Sequence, residues 1–271
     1  MENKSNISHY YDNRIEEAIN DYFINNKRLI EALKFSIQNI PADTTNILDL
    51  GCGIGWTSYE YAKHFPNSQV TGFDISEKSI EFARSFFSHK NLNFLKGDIS
   101  LLSDYIPGKF EIVTLIDVYE HIEKSRRPVF YNLINEKLAE NGKVLITCPS
   151  VIHQNYLRKH KPEELQPIDE NIFLDDLQRF SSYIDAEISF YKYKSIYHTD
   201  DYIQAILNKN IGKQETSVKD PVRVKVQLDR QFDKYRRFSR YQGNIYSETI
   251  NRNKKFWLFR HLKNFIKNSI C

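Results

Sequence analysis

Residues 47–74 read ILDLGCGIGWTSYEYAKHFPNSQVTGFD, and this stretch decides the fold. An apolar run ending at Leu50 breaks into a loop with glycines at 51, 53 and 55. A helical pattern follows from Trp56 to His64, and a second apolar run, Val70 to Phe73, ends in Asp74. Strand, glycine loop, helix and second strand closed by a carboxylate make up the nucleotide-binding half of a doubly wound α/β sheet. The glycines supply positive φ for the turn and let a ligand lie against bare backbone. Asp74, at the tip of the second strand, can accept hydrogen bonds from both hydroxyls of a ribose.

The loop also narrows the nucleoside. A dinucleotide fingerprint needs a third glycine where this chain has Trp56, so that a pyrophosphate can approach the helix start. The acid ahead of the loop, Asp49, would repel a diphosphate and suits a ligand with an ammonium group. S-adenosylmethionine (SAM) has a ribose, no phosphate, a sulfonium and an amino acid tail. The pattern hydrophobic-Asp-hydrophobic-Gly-x-Gly-x-Gly over residues 48–55 resembles the first motif of the class I SAM-dependent methyltransferases. That resemblance covers residues 40–208 and implies a seven-stranded doubly wound sheet with SAM as cofactor. It places Asp49, Gly51, Cys52, Gly53, Gly55, Asp74 and Ile75 at the cofactor. It also implies that Asp98 receives the adenine amino group, that Ile99 packs on the ring, and that Asp117 and Val118 close the site. In such enzymes N-terminal helices lie over the cofactor, and Tyr10-Tyr11 would close the lid against the acceptor; packing of a helix onto the sheet edge is the alternative for that pair.

At 271 residues the chain can bury a substantial core in one large domain with additions. Its three cysteines, Cys52, Cys148 and Cys271, lie far apart without a CxxC pair. Neither a disulfide framework nor a cysteine zinc site is suggested, and a reducing cytoplasm is the simplest setting. The first residues carry no apolar leader and no run reaches bilayer-spanning length, so a soluble protein is expected, with attachment at a membrane surface left open. The net charge of +3 is unevenly spread. Residues 219–271 hold 14 Lys+Arg against 4 Asp+Glu, or +10, which leaves 24 against 31, or −7, for residues 1–218. The tail thus has a different task from the body.

Apolar spacing over residues 10–38 predicts one or two amphipathic helices ended by Pro41. After Asp74, Ser76 caps a helix to about residue 89, and a third strand covers 91–95. The β-branched run 110–116 reads as a central buried strand with Asp117 at its C-terminal end. A helix opens at Pro128 and is closed by Asn141-Gly142; residues 143–147 form the fifth strand, 174–184 a helix, and 186–196 with 201–207 a closing antiparallel pair. The expected organisation is a helical lid over 1–40, a methyltransferase domain over 41–210 and a basic helical extension over 211–271.

Methyl transfer to a hydroxyl requires a base or a metal that acidifies the oxygen. Asp117-Val118-Tyr119-Glu120-His121 resembles the metal-holding positions of ubiquinone-pathway and small-RNA methyltransferases, though Asp117 stands where those have Glu. A divalent metal on Asp117, Glu120 and His121 is therefore an option but not the favoured one; His121 as a base or as a pocket wall is the other. The second group follows the fifth strand, in a polar connecting loop: His153 as base or acceptor contact and Arg158 as partner for an acidic acceptor. His121 and His153 are the catalytic candidates, and Tyr10, Tyr11, His153 and Arg158 the acceptor contacts.

The final residues, 251–271, put Leu258, Phe259, Leu262, Phe265, Ile266 and Ile270 on one helical face, with lysines and arginines mostly elsewhere. Such a helix suits an anionic membrane surface, suits nucleic acid less, and otherwise docks on its own body or a second subunit as a homodimer contact. The expected function is O-methylation of a small molecule, sugar or glycan precursor. An RNA methyltransferase using the tail, an N-methyltransferase of a small amine and a non-catalytic SAM-binding protein are the alternatives.

Overall fold

The computed structural model describes residues 2–209. Three helices come first, α1 (Glu2–Asn13), α2 (Ile15–Ile24) and α3 (Lys27–Asn39). The alternating core then runs β1 (Asn46–Leu50), α4 (Trp56–His64), β2 (Gln69–Asp74), α5 (Glu77–Phe86), β3 (Leu92–Lys96), a short α6 (Leu102–Tyr105) and β4 (Phe110–Ile116). It continues with α7 (Arg127–Lys137), β5 (Leu138–Pro149), α8 (Val151–His160), α9 (Leu174–Tyr183), β6 (Ala186–Lys194) and β7 (Tyr202–Lys209).

All seven strands form one sheet in the order β3-β2-β1-β4-β5-β7-β6. The pairs from β3 to β5 are parallel, and β7 lies antiparallel between β5 and β6. Chain order reverses between β1 and β4, which opens the crevice where such sheets bind ligands. Strand alternation divides the core. Leu48, Val113, Val144 and Ile146 face α7 and α9, whereas their neighbours Ile47, Ile112 and Leu145 face α3 and α4. A third cluster joins α2 to α5, with Tyr22 5.3 Å from Trp56 and 5.7 Å from Phe86. Trp56, which replaces the third glycine of a dinucleotide loop, is thus a core side chain, 3% exposed.

Three elements differ from the sequence expectation. Residues 2–13 form a helix that periodicity does not signal because the segment is mostly polar; Asp12 holds it to α5 by accepting from Ser76 Oγ at 2.7 Å. β5 begins at Leu138 instead of 143. Its register slips between the pairs Phe110↔Leu138 and Ile112↔Lys143, so Asn141-Gly142 is an irregularity within the strand and not the end of the preceding helix. The polar segment after β5 is helix α8 and not a loop: Ser150 caps it by accepting from the His153 amide at 3.2 Å. Among the described residues no helix is long and apolar enough to cross a membrane. The basic extension and its expected membrane, nucleic-acid and subunit contacts lie outside the described residues.

Candidate active site

The glycine loop is pinned to the tip of β2. Gly51 N donates to Phe73 O at 2.7 Å and Gly53 N to Asp74 Oδ2 at 2.8 Å. Gly51 has φ +69, and a Cβ there would enter the Val118 side chain, so glycine is required both for the turn and for the approach of the β4 end. Gly55, φ +84, serves packing instead: a Cβ would lie 2.6 Å from the Phe94 ring, and the residue lines neither cavity described below. Asp49 also differs from expectation. It is 1% exposed and lies behind the loop, where Oδ2 accepts from Thr57 and Ser58 at 2.6 Å each and Oδ1 from Thr114 at 2.7 Å. Its carboxylate braces the loop against β4 and α4, and it too lies outside both cavity linings.

Two cavities adjoin over the C-terminal edges of β1, β2 and β4. The larger, about 420 Å³, is walled by Ile75, Asp98, Ile99, Val118 and His121. The smaller, about 220 Å³, is walled by Arg28, Cys52, Gly53 and Gln166. Tyr11, Gly51, Asp74 and Asp117 line both. Asp74 is held by the Gly53 and Ser76 amides at 2.8 Å each. Burial raises its carboxyl above the usual aspartate value, against those same hydrogen bonds. Asp98 accepts from the Ser100 amide at 2.8 Å. Carboxylates at Asp74 and Asp98, apolar walls at Ile75, Ile99 and Val118, and glycine backbone between them fit a nucleoside with an attached amino acid, which is the shape of SAM.

Asp117 occupies the left-handed region, φ 54, a conformation in which Asp is over-represented among non-glycine residues. Its Oδ2 pairs with Arg28 Nη1 at 2.5 Å, and Arg28 also reaches Asp21 at 3.8 Å. Burial works against the Arg28 charge, but Asp117, Tyr202 and Asp21 outweigh it and raise its pKa. His121 sits in a short 3-10 turn (Tyr119–His121). Its Nδ1 is 2.6 Å from Ile168 O and 3.3 Å from Asp169 Oδ1. A carbonyl only accepts, so Nδ1 carries the proton and Nε2 keeps its lone pair. Burial lowers the His121 pKa below 6.5, more than Ile168 O and Asp169 raise it. Burial, with Glu120 and Asp74 nearby, keeps the Tyr11 phenol protonated.

The other expected residues are placed elsewhere. His153 lies on α8, 6.5 Å from the Tyr156 ring and outside both cavity linings. Arg158, on the same helix, is exposed and ties α8 to the following segment through Asn171 at 2.5 Å and Asp169 O. Both were assigned to a loop over the site, and the helix carries them away from the cavity walls. Tyr10 accepts from Arg14 at 2.5 Å and lines neither cavity; Tyr11 alone of the pair reaches them. Among the described residues no group of three His, Cys, Asp or Glu side chains is placed to hold a metal ion. In the Asp117, Glu120, His121 set, Asp117 Oδ2 pairs with Arg28 and His121 Nδ1 with Ile168 O, while Asp117 Oδ1, both Glu120 oxygens and His121 Nε2 stay open. Arg28 and Gln166 had no motif to announce them; they reach the smaller cavity through tertiary contacts.

A family model described as a methyltransferase domain matches residues 41–218. The chain belongs to this family, whose fold and crevice are those of class I SAM-dependent methyltransferases. It is 28% identical over 160 residues to a malonyl-[acyl-carrier protein] O-methyltransferase of Halalkalibacterium halodurans, covering 56% of this chain and 58% of that protein. It is 33% identical over 99 residues to a ubiquinone biosynthesis O-methyltransferase of Coxiella burnetii, covering 36% and 41% respectively. The chain thus spans about half the length of the curated relatives it matches. A SAM-dependent methyltransferase from Anabaena variabilis superposes with a TM-score of 0.59 at 13% identity, over 76% of this chain and 95% of the other.

Proposed function

We propose that this chain is a SAM-dependent O-methyltransferase acting on a hydroxyl of a small molecule or sugar. The observation that carries the reading is His121, a neutral imidazole in the cavity wall with its proton fixed on Nδ1. The two relatives named above, both O-methyltransferases, support oxygen as the acceptor atom. SAM, when bound, supplies a methyl group on a sulfonium centre. Asp74 would accept from the ribose hydroxyls, Asp98 and Ile99 would hold the adenine, and Asp117 with Arg28 would face the amino and carboxyl groups of the tail. Toward that chemistry His121 Nε2 would take the proton of the acceptor hydroxyl as its oxygen receives the methyl group. Ile168 O and Asp169 stabilise the imidazolium, and Tyr11 with the N-terminal helices keeps water out.

Transfer of labelled methyl from SAM to a panel of hydroxylated small molecules tests the reading. His121→Gln should lower kcat by about 10²–10⁴ while the SAM Kd holds; an active variant would remove the base. For the segment 211–271 we propose attachment to an anionic membrane surface. The full chain should float with phosphatidylserine liposomes and a chain ending at Asn210 should not; failure of the full chain to float retires that proposal.

A further inference from the structure

Five residues near the C-terminal ends of β4 and β5 share one deficiency. Asp117 Oδ1, both Glu120 carboxyl oxygens, Thr147 Oγ1, Gln154 Oε1 and Gln166 Oε1 are buried with no hydrogen-bond partner among the described residues, and the Glu120 carboxyl is influenced by its own amide. Buried polar atoms are normally paired, so a cluster of orphans asks for an explanation. These belong to one network. Gln154 Nε2 donates to Asp169 Oδ1 at 3.2 Å and the Gln166 amide to Asp169 Oδ2 at 2.7 Å. Asp169 reaches His121 Nδ1 at 3.3 Å, and Glu120 Oε1 lies 3.8 Å from His121 Nε2. The Asp117 amide donates to Thr147 O at 2.8 Å. The network opens on the cavities through His121, Asp117 and Gln166. Glu120 and Gln154 are each 1% exposed, so bulk water does not satisfy them.

We infer that the oxygens of Glu120, Thr147, Gln154 and Gln166, beside an Asp117 taken by the amino group of the SAM tail, form the acceptor subsite, and that it recognises a neutral, polyhydroxylated acceptor through its hydroxyl hydrogens. The inference rests on the methyltransferase reading and adds the substrate class. Every orphan of this group is an oxygen, so the missing partner is a hydrogen-bond donor or a cation, and the EDTA arm below separates the two. Vicinal hydroxyls bring several donors at the spacing of neighbouring side chains, and one of those hydroxyls would then stand at His121. An anionic acceptor is disfavoured: its charge would meet Asp117 and Asp169, and the cation of the cluster, Arg28, is already paired with Asp117. Burial and the Asp117 charge push the Glu120 carboxyl well above its ordinary value, which favours the neutral form beside a neutral ligand.

Saturation-transfer NMR and calorimetry on the full chain loaded with S-adenosylhomocysteine test this. The probes are methyl β-D-glucopyranoside, methyl α-L-rhamnopyranoside and myo-inositol against p-hydroxybenzoate, malonate and glucose 6-phosphate. The neutral polyols should bind more tightly than the anions. Gln154→Leu and Gln166→Leu should each weaken them about five-fold or more, and Gln166→Glu, which keeps an acceptor oxygen, should weaken them less. Gln166 is partly exposed, so its variants report even where Gln154→Leu does not fold. Tighter binding of an anion, no binding of any polyol, leucine variants without effect, or loss of polyol binding on adding EDTA would each overturn the inference. If S-adenosylhomocysteine itself does not bind, it is the methyltransferase reading that fails.

Discussion

The guanidinium of Arg28 meets the carboxylate of Asp117 at 2.5 Å across 89 residues of sequence. The pair joins the start of α3 to the end of β4, and so couples the N-terminal helices to the floor of the cavity. Removing one partner leaves a buried charge without compensation, which costs about 3 kcal/mol. Arg28→Met should lower unfolding free energy by that order in urea titrations and weaken SAM binding as well. A variant as stable as the parent would show that the pair holds nothing together.

Asp74 is the cavity carboxylate best placed for ribose hydroxyls. Charge-assisted hydrogen bonds contribute about 1.5–3 kcal/mol, so Asp74→Ala should raise the SAM Kd by about 10–100-fold in calorimetry. SAM affinity unchanged by the substitution would move the ribose elsewhere.

Burial places the folded-state pKa of His121 below its ordinary 6.5. The base form is therefore complete at neutral pH, and kcat/KM should fall only as pH drops below that value. Stability follows the same sign: a folded pKa below the unfolded one means that the unfolded state takes up the proton first. The His121 contribution is whole above pH 6.5 and is lost as pH falls toward the folded value. An acid limb centred above pH 7 would contradict this.

Glu120 behaves oppositely. Burial and the Asp117 charge raise its folded pKa well above 4.5. Its neutral form is the stable one, so stability is full below pH 4.5 and declines as pH rises toward the folded pKa. Glu120→Gln mimics the neutral acid, and should match the parent in thermal melts near pH 5 while exceeding it at pH 8. Equal melting temperatures at both pH values would place a charge on Glu120 after all.

Gly51→Ala should be among the most damaging single methyl additions in the chain. The left-handed φ costs about 1–2 kcal/mol for a residue with a Cβ, and that Cβ enters Val118. Adding Val118→Ala should recover the steric part and leave the backbone part, which chemical denaturation of both variants would separate.

Residues 47–74 were legible because local chemistry determines them: glycines where φ is positive, and alternating apolar residues where strands are covered on both faces. β4 was found at its true bounds, Phe110–Ile116, since a continuous apolar run of that length has few other uses. α8 was not, because only Gln154 and Leu157 of its ten residues are buried, which leaves little periodicity to read. Misreading it as a loop is what put His153 and Arg158 at the site. Arg28 escaped notice for a different reason. Its partner lies beyond four strands, and no local pattern in α3 distinguishes a surface arginine from one aimed at Asp117.

The antiparallel insertion of β7 has a consequence for the rest of the chain. Tyr202 pairs with Pro149 beside the cavity, and Asn208 pairs with Lys143 at the other end of the sheet. The eight residues of β7 span about 23 Å. The described residues therefore end at the pole of the sheet opposite the crevice. A chain cut at Asn210 keeps the seven described strands and the described cavity walls, so it should still bind SAM with the affinity of the whole protein.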